Sequence, residues 1–341
     1  MDFLIEYGMF VAKSLTIVLA ILIVVVGIIA SATKSKDQSK SHIEVSKLNE
    51  KFDDSRALIN SEMLGKDALK KFEKQQKSKL KAAKKEEDAE KQRIFVIDFE
   101  GDIKASAVTS LREEITAILL VARKQDEVFV RLQSPGGMVN TYGLAASQLK
   151  RVKDKGIPLV ISVDKVAASG GYMMACVGDK ILSAPFAILG SIGVVAQIPN
   201  FNRLLKKHDI DYEMITAGEY KRTLTIFGEN TDQARSKFKD DIEDIHVLFK
   251  DFVSEQRPIV DIEKVSTGEY WFGTRAKELE LVDDIKTSDD YLLEKSEGTD
   301  LFHIKYIEKK NLGDKFSHFL QRVADQTITG WWSKSKENEL V

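Results

Sequence analysis

The chain has a single cysteine, Cys176, in 341 residues. That excludes an intramolecular disulfide scaffold and a cysteine-based metal site. Proline is scarce too, with five residues, the first of them Pro135. An excess of one charge sign is also missing: 51 Lys+Arg stand against 53 Asp+Glu, a net charge of −2. A whole-chain basic protein that neutralises nucleic-acid phosphates is therefore excluded, and no nucleic-acid partner is expected. The sequence carries no Walker segment, no Gly-x-Gly-x-x-Gly and no His-Glu-x-x-His, so no metal and no cofactor are expected. Nor is any repeat of solenoid period visible.

What is present is unevenly spread. The 43% hydrophobic content supports a sizeable core, and the length allows two or three domains. From Ser14 to Thr33 there is no charged residue for 20 positions. An apolar run of that length can cross a bilayer as a helix. A cleaved signal peptide or a buried helix fits less well, because Asp2 and Glu6 precede the run and Lys13 is the only base before it. The expectation is a single-pass N-terminal transmembrane helix within an anchor region at 1–33, with the lipid bilayer as a partner. Lys34, Lys36 and Lys40 follow it, and this charge bias places the rest of the chain in the cytoplasm.

Residues 34–93 read as a charged helical tether leading into the body. Between Lys66 and Lys85 nine lysines face only Asp67 and Glu73, a local +7. The stretch is rich in helix formers; it reads as a solvated helix or tether, with contact to anionic lipid heads the alternative. At the other end, 301–341 reads as an amphipathic tail. Phe316, Phe319, Leu320 and Val323 recur at helical spacing, and Trp331-Trp332 follows. Such a stripe packs on the protein's own body or anchors at a membrane interface.

The body spans 94–300. Strands are expected at Ile94–Phe99, Glu127–Leu132, Pro158–Val163 and Lys180–Ser183. Helical spacing covers Thr109–Arg123 and Val139–Val152, and an apolar helix runs from Gly170 to Cys176. This alternation means βαβ units and a mostly parallel α/β sheet. Ligands in such sheets sit at the carboxyl ends of the strands, where two Gly-rich turns fall.

Those turns could carry chemistry. Gly136 and Gly137 follow a strand end and Pro135. Glycine backbone can approach a reacting carbonyl and present N–H groups to it, as an oxyanion hole requires; a plain tight turn has the same signature. Ser169 stands at the start of a helix, followed by Gly170 and Gly171, and reads equally as a nucleophile beside free N–H groups or as an N-cap. A nucleophilic serine needs a base. The five histidines, His42, His208, His246, His303 and His318, lie outside every Gly-rich turn, and each reads as a surface residue. Lysine in apolar surroundings is the other candidate. Lys165 and Lys221 compete on position alone, and Ser191 could hold such a lysine by a hydrogen bond or be a turn residue. Cys176 reads as a small buried residue, not a nucleophile.

Five segments together resemble one family. They are Ser134-Pro135-Gly136-Gly137, Val166 to Tyr172, Gly190 to Val194, Gly218-Glu219-Tyr220-Lys221 and Gly273 to Asp283. In this order they are similar to the S49 peptidases of the signal peptide peptidase A type, from about residue 94 to 300. The anchor and charged segment look like an anchored bacterial branch of that family. The resemblance implies a ClpP/crotonase-like α/β fold and a serine endopeptidase with a Ser–Lys dyad. It makes Ser169 the nucleophile, Lys221 the general base, the N–H groups of Gly137 and Gly170 the oxyanion hole, and Ser191 the residue that orients the lysine. Lys165 falls where the family keeps no catalytic residue. Arg222 follows Lys221 where relatives often carry a small or acidic residue. Apolar peptides such as signal peptide remnants, or membrane and exported proteins, are the implied substrates. A homo-oligomer with sites shared between subunits is the implied assembly, and the bacterial plasma membrane the implied location, with the body on its outer face, against the charge bias. A crotonase-like acyl-CoA enzyme shares the paired N–H groups, and an inactive oligomeric scaffold is a third reading; Ser169 before two glycines, with Lys221 downstream, favours the peptidase.

Overall fold

The computed structural model describes residues 6–20, 41–65, 67–71, 74, 78 and 91–308. Residues 43–306 form one compact unit. Of the anchor region, residues 6–20 are helical; the rest of the expected span, through residue 33, lies outside the described residues, as do most of the lysine-rich stretch and the tail beyond 308. Among the described residues no helix is long and apolar enough to cross a membrane.

Besides the helical residues at 6–20, 67–71, 74 and 78, ten strands and nine helices are found among the described residues. In chain order they are β1 (His42–Lys47), α1 (Leu48–Met63), β2 (Arg93–Glu100), α2 (Val108–Val121), β3 (Glu127–Gln133), α3 (Val139–Asp154), β4 (Leu159–Val163), β5 (Val166–Ala168) and α4 (Gly170–Ala175). Then follow β6 (Lys180–Ser183), β7 (Ile188–Gly190), α5 (Asn202–Lys207), α6 (Asp232–Gln256), α7 (Ile262–Val265), β8 (Tyr270–Phe272), α8 (Gly273–Glu278), β9 (Asp284–Ile285), α9 (Ser288–Lys295) and β10 (Asp300–Ile307).

Seven strands make the main sheet in the order β1-β10-β2-β3-β4-β6-β9. The pairs from β10 through β9 are all parallel. Side chains alternate between the faces of a strand, and both faces are apolar here, as in a parallel sheet covered on both sides. Phe95, Ile97, Val128, Val130 and Ile161 point into the larger core. That core takes the buried stripe Leu111, Ile115 and Ile118 of α2, spaced at one helical face. Ile94, Val96, Phe129, Val160 and Leu182 point the other way, against Tyr291 and Leu292 of α9, with Leu48 and Phe52 of α1 packed alongside.

The four strands and three helices read in the body all form, with ends shifted by one or two residues. Four short strands escape the pattern, β8 and β9 among them; β5 and β7 are three residues each, too short for an alternation to register. With β8 they make a second sheet in the order β5-β7-β8. Tyr212 to Thr216, although its residues favour a strand, is irregular and exposed, because no neighbouring strand among the described residues offers it a ladder. The first part of the charged region folds as β1 and α1, and the start of the tail is β10, lodged between β1 and β2. His303 therefore sits within a strand and not in a tail.

Candidate active site

The site grows from the place where the two sheets meet. Ser134, just past β3, bridges to Ala167 of β5. Its N–H donates to Val166 O at 2.8 Å, and its carbonyl accepts from Ala168 N at 3.0 Å. These bonds bring the Pro135-Gly136-Gly137 turn against Ser169, which follows β5. A Cβ on Gly136 would lie 2.6 Å from Ala168 O and 2.8 Å from both Gly170 N and the Ser169 Cβ, and Gly136 itself has φ +89°. Only glycine fits there.

Ser169 joins strand to helix with φ 52° and ψ −121°. A positive φ is uncommon for a residue with a Cβ and costs on the order of 1–3 kcal/mol where the surroundings enforce it. Its N–H is fixed to Gly190 O at 2.8 Å, and its carbonyl accepts from Met173 N at 3.0 Å. Ser169 occupies the N-cap position of α4, but its side chain makes no cap hydrogen bond. The hydroxyl is left half-buried beside the turn.

Around it, the N–H groups of Gly137 and Gly170 donate to no described residue, whereas that of Gly136 goes to Ser134 Oγ at 3.1 Å and that of Met138 to Ile103 O at 2.8 Å. The turn is packed from behind. A Cβ on Gly137 would meet Ile103 O at 2.1 Å, one on Gly171 would meet Ser134 O at 2.5 Å, and one on Gly170 would strike the Tyr142 ring at 2.4 Å. Tyr142, fully buried on α3, reaches Ser134 Oγ at 2.6 Å and donates to Asp102 O at 2.7 Å. The motif reading missed this tyrosine. Its signal was position: it stands on the second turn of the helix that follows the Gly pair and so faces back toward it.

Ser191 is adjacent through β7, which pairs with β5. It too has a positive φ, 53°, and its N–H donates to Glu269 O at 2.6 Å. Lys221 is different. It is exposed on the irregular stretch that follows Gly218, and its backbone N–H donates to Gly218 O at 3.2 Å. No hydrogen bond joins its side chain to Ser169, to Ser191 or to any other described residue. Arg222 beside it is exposed as well, and so is Lys165. Within one chain the fold thus gathers Ser169, Gly137, Gly170 and Ser191, and leaves Lys221 on the surface. Cys176 is fully buried, and burial pushes its thiol up to about 12, which keeps it a protonated packing residue.

The Gly273 to Asp283 motif has a structural task. Arg257, at the end of α6 and nearly buried, forks onto Asp283 at 2.9 and 3.2 Å and donates to Glu280 O at 2.7 Å. Asp283 also accepts from Ile181 N at 2.6 Å. The motif therefore clamps α6 and β6 behind α4, where the buried Tyr172 donates to Leu281 O at 2.9 Å.

A strained serine at a strand–helix elbow, packed against the Gly136 backbone and near glycine N–H groups that donate to no described residue, can support acyl transfer. The comparisons agree with that class. Residues 2–149 match the N-terminal model of peptidase family S49 and residues 151–301 match the peptidase family S49 model. The chain belongs to peptidase family S49 and is a serine-type peptidase. It is 50% identical to the probable protease SohB of Haemophilus influenzae, over 99% of this chain and 98% of that protein. It is 59% identical to the probable protease SohB of Buchnera aphidicola subsp. Acyrthosiphon pisum, over 70% of this chain and 71% of that one. A solved membrane-bound stomatin-specific protease aligns at 15% identity and a TM-score of 0.39, over 60% of this chain and 84% of that chain, a likeness too distant to bear on the site.

Proposed function

We propose that the chain is a membrane-anchored endopeptidase that cleaves apolar peptides with a Ser169–Lys221 dyad. The observation that carries this reading is the conformation of Ser169. A positive φ and three close glycine backbones hold a serine where a simple turn would need none of them.

In this mechanism the amine of Lys221 takes the Ser169 proton as Oγ attacks the peptide carbonyl. The N–H groups of Gly137 and Gly170 donate to the oxyanion. Lys221 then gives the proton to the leaving amine, and water cleaves the acyl-enzyme in the reverse sense. Ser191 orients the ammonium. The exposure of Lys221, without a partner among the described residues, suits a site completed between copies of the chain. The exposed apolar side chains of the same stretch, among them Val195, Ile215 and Phe227, suit burial in such a homo-oligomer. The uncharged run at 14–33 supports a single-pass anchor in a bacterial plasma membrane, which would place the site beside membrane-borne peptides and exported proteins.

The test is release of product from an apolar peptide by the wild type, Ser169→Ala and Lys221→Ala. Both variants should fall to background. A mixed oligomer of the two should recover part of the activity if the dyad spans two copies. Wild-type turnover by Ser169→Ala would overturn the mechanism.

A further inference from the structure

The main sheet carries a second polar site on the face turned away from Ser134 and α4. Ser134 points toward Tyr142, so by strand alternation Gln133 points to the opposite face. On that face the apolar row Val96–Phe129–Val160 is covered by α9. Toward the carboxyl ends of the strands the row becomes polar. Asp98 pairs in register with Arg131, and Arg131 with Ser162. Arg131 forks onto Asp98 at 2.5 and 2.9 Å, and His303 lies 3.0 Å from the same carboxylate. Above this row lies a cavity of about 320 Å³.

Ser162 lines that cavity. Its side chain is wholly buried, and its hydroxyl has no hydrogen-bond partner among the described residues. A buried hydroxyl without a partner is costly and rare in folded proteins. The other walls divide by charge. Glu100, past the end of the polar row, and Asp289, in the first turn of α9, supply carboxylates; Lys165, between β4 and β5, supplies an ammonium. None of these three side chains makes a hydrogen bond or ion pair with a described residue. The neighbouring Asp164, by contrast, is engaged by Ser288 N and Oγ, and Asp98 by Arg131.

We propose that this cavity is a binding site for a small zwitterion, a free α-amino acid or a dipeptide. The acids would take its ammonium group, Lys165 its carboxylate, and the Ser162 hydroxyl a polar atom between them. A simple cation would leave Lys165 unmatched, and a simple anion would meet two free carboxylates. The ligand class is that of the end products of peptide cleavage. The site also touches the catalytic frame: Gln133 lies four residues before Gly137, and Lys165 four before Ser169. Occupancy would therefore brace the chain leading into both segments.

The experiment is calorimetric titration of the full-length protein, wild type and Ser169→Ala, with alanine, with the dipeptide Ala-Ala, and with its N-acetylated and C-amidated forms. Alanine or Ala-Ala should bind, equally in both proteins. Capping either end of the dipeptide should weaken binding about tenfold or more, as expected for losing a charge-assisted bond. Ser162→Ala and Lys165→Met should weaken the uncapped ligand similarly, while the melting temperature of Ser162→Ala stays level or rises because the orphan hydroxyl is gone. If either variant misfolds by circular dichroism, Glu100→Gln at the exposed rim must show the same loss. No binding at about 10 mM, equal binding of the capped forms, or binding untouched by these substitutions would each overturn the site. None of these readouts depends on the Ser169–Lys221 dyad, so failure here and failure of the proposed mechanism are separable.

Discussion

Ser134 Oγ and Tyr142 Oη lie 2.6 Å apart beneath the Gly136-Gly137 turn. The tyrosine hydroxyl also donates to Asp102 O, and the serine oxygen accepts from Gly136 N. One buried pair of hydroxyls thus ties the β2–α2 loop to the turn that presents the Gly137 N–H. Tyr142→Phe keeps the ring that packs on Gly170 and deletes the tie. We expect a loss of about 1–3 kcal/mol in stability, from the polar atoms left unpaired. On the proposed mechanism kcat should fall about tenfold, since the oxyanion donor loses its support, with KM little changed. Steady-state kinetics with thermal denaturation of the same sample would check both.

Ser169 holds a conformation that serine disfavours, and that can be measured. Ser169→Gly removes the Cβ from a residue at φ 52°. Activity should vanish, while stability should hold or rise by about 1 kcal/mol, the relief of strain offsetting the extra chain entropy of glycine. Urea unfolding of the two proteins would show it. A marked destabilisation would mean that the strain is not there.

Gly137→Ala should be worse than its size suggests. The added Cβ would sit 2.1 Å from Ile103 O, a clash between backbone and a methyl group that no rotamer relieves. The turn must move, and with it the proposed oxyanion donor. Peptidase activity should drop about 10²-fold or more, with far-ultraviolet circular dichroism unchanged.

Asp283→Ala should be the most destabilising of these changes. It strands the nearly buried Arg257 guanidinium and the Ile181 N–H together. Breaking one side of such a pair costs about 3–5 kcal/mol. Asp283→Asn keeps one acceptor and should lie between the two. Chemical denaturation orders the three proteins.

Acid should act through two carboxylates. Burial works to raise the Asp98 carboxyl, but hydrogen bonds from His303 and Arg131 outweigh it and hold the group at about 2. In Asp126 burial is likewise outweighed, by Arg93 and Arg123, and the carboxyl lies well below the usual range. Both folded values lie below the unfolded value of about 3.9. Their stabilisation is therefore complete above about pH 4–5 and is lost as pH falls through the folded values, toward pH 2 and below. Asp126→Asn should lower stability at pH 7 and flatten the acid limb, measured as midpoint against pH.

Much of the fold was legible because its strands and helices are periodic and locally consistent. Leu111, Ile115 and Ile118 announce their face by spacing alone, and Ile94 to Ile97 read as a strand buried on both faces. The Gly-rich turns were legible as well, because the positions of Gly136 and Gly170 admit no side chain. Strands β5 and β7 were not legible: three residues carry no period, and they exist as strands only because the main sheet bends Ser134 onto Ala167. Nor could Tyr212–Thr216 be seen to be irregular, since residues that favour a strand say nothing of whether a partner strand awaits them. The S49 membership was readable from five motifs, while the task of the last one, an aspartate clamp on Arg257, was not.

The sequence by itself determined that this chain has a parallel α/β body, no intramolecular disulfide, and a serine among glycines at a strand end. Those are consequences of composition and local pattern, which need no knowledge of distant contacts. Only the tertiary structure decided that the serine is strained, that the Gly137 and Gly170 N–H groups donate to no described residue, that Lys221 stays on the surface of a single chain, and that Ser162 is buried without a partner among the described residues. Each of these depends on groups tens of residues apart being pressed together, and the energy of such a contact is not written in either segment alone.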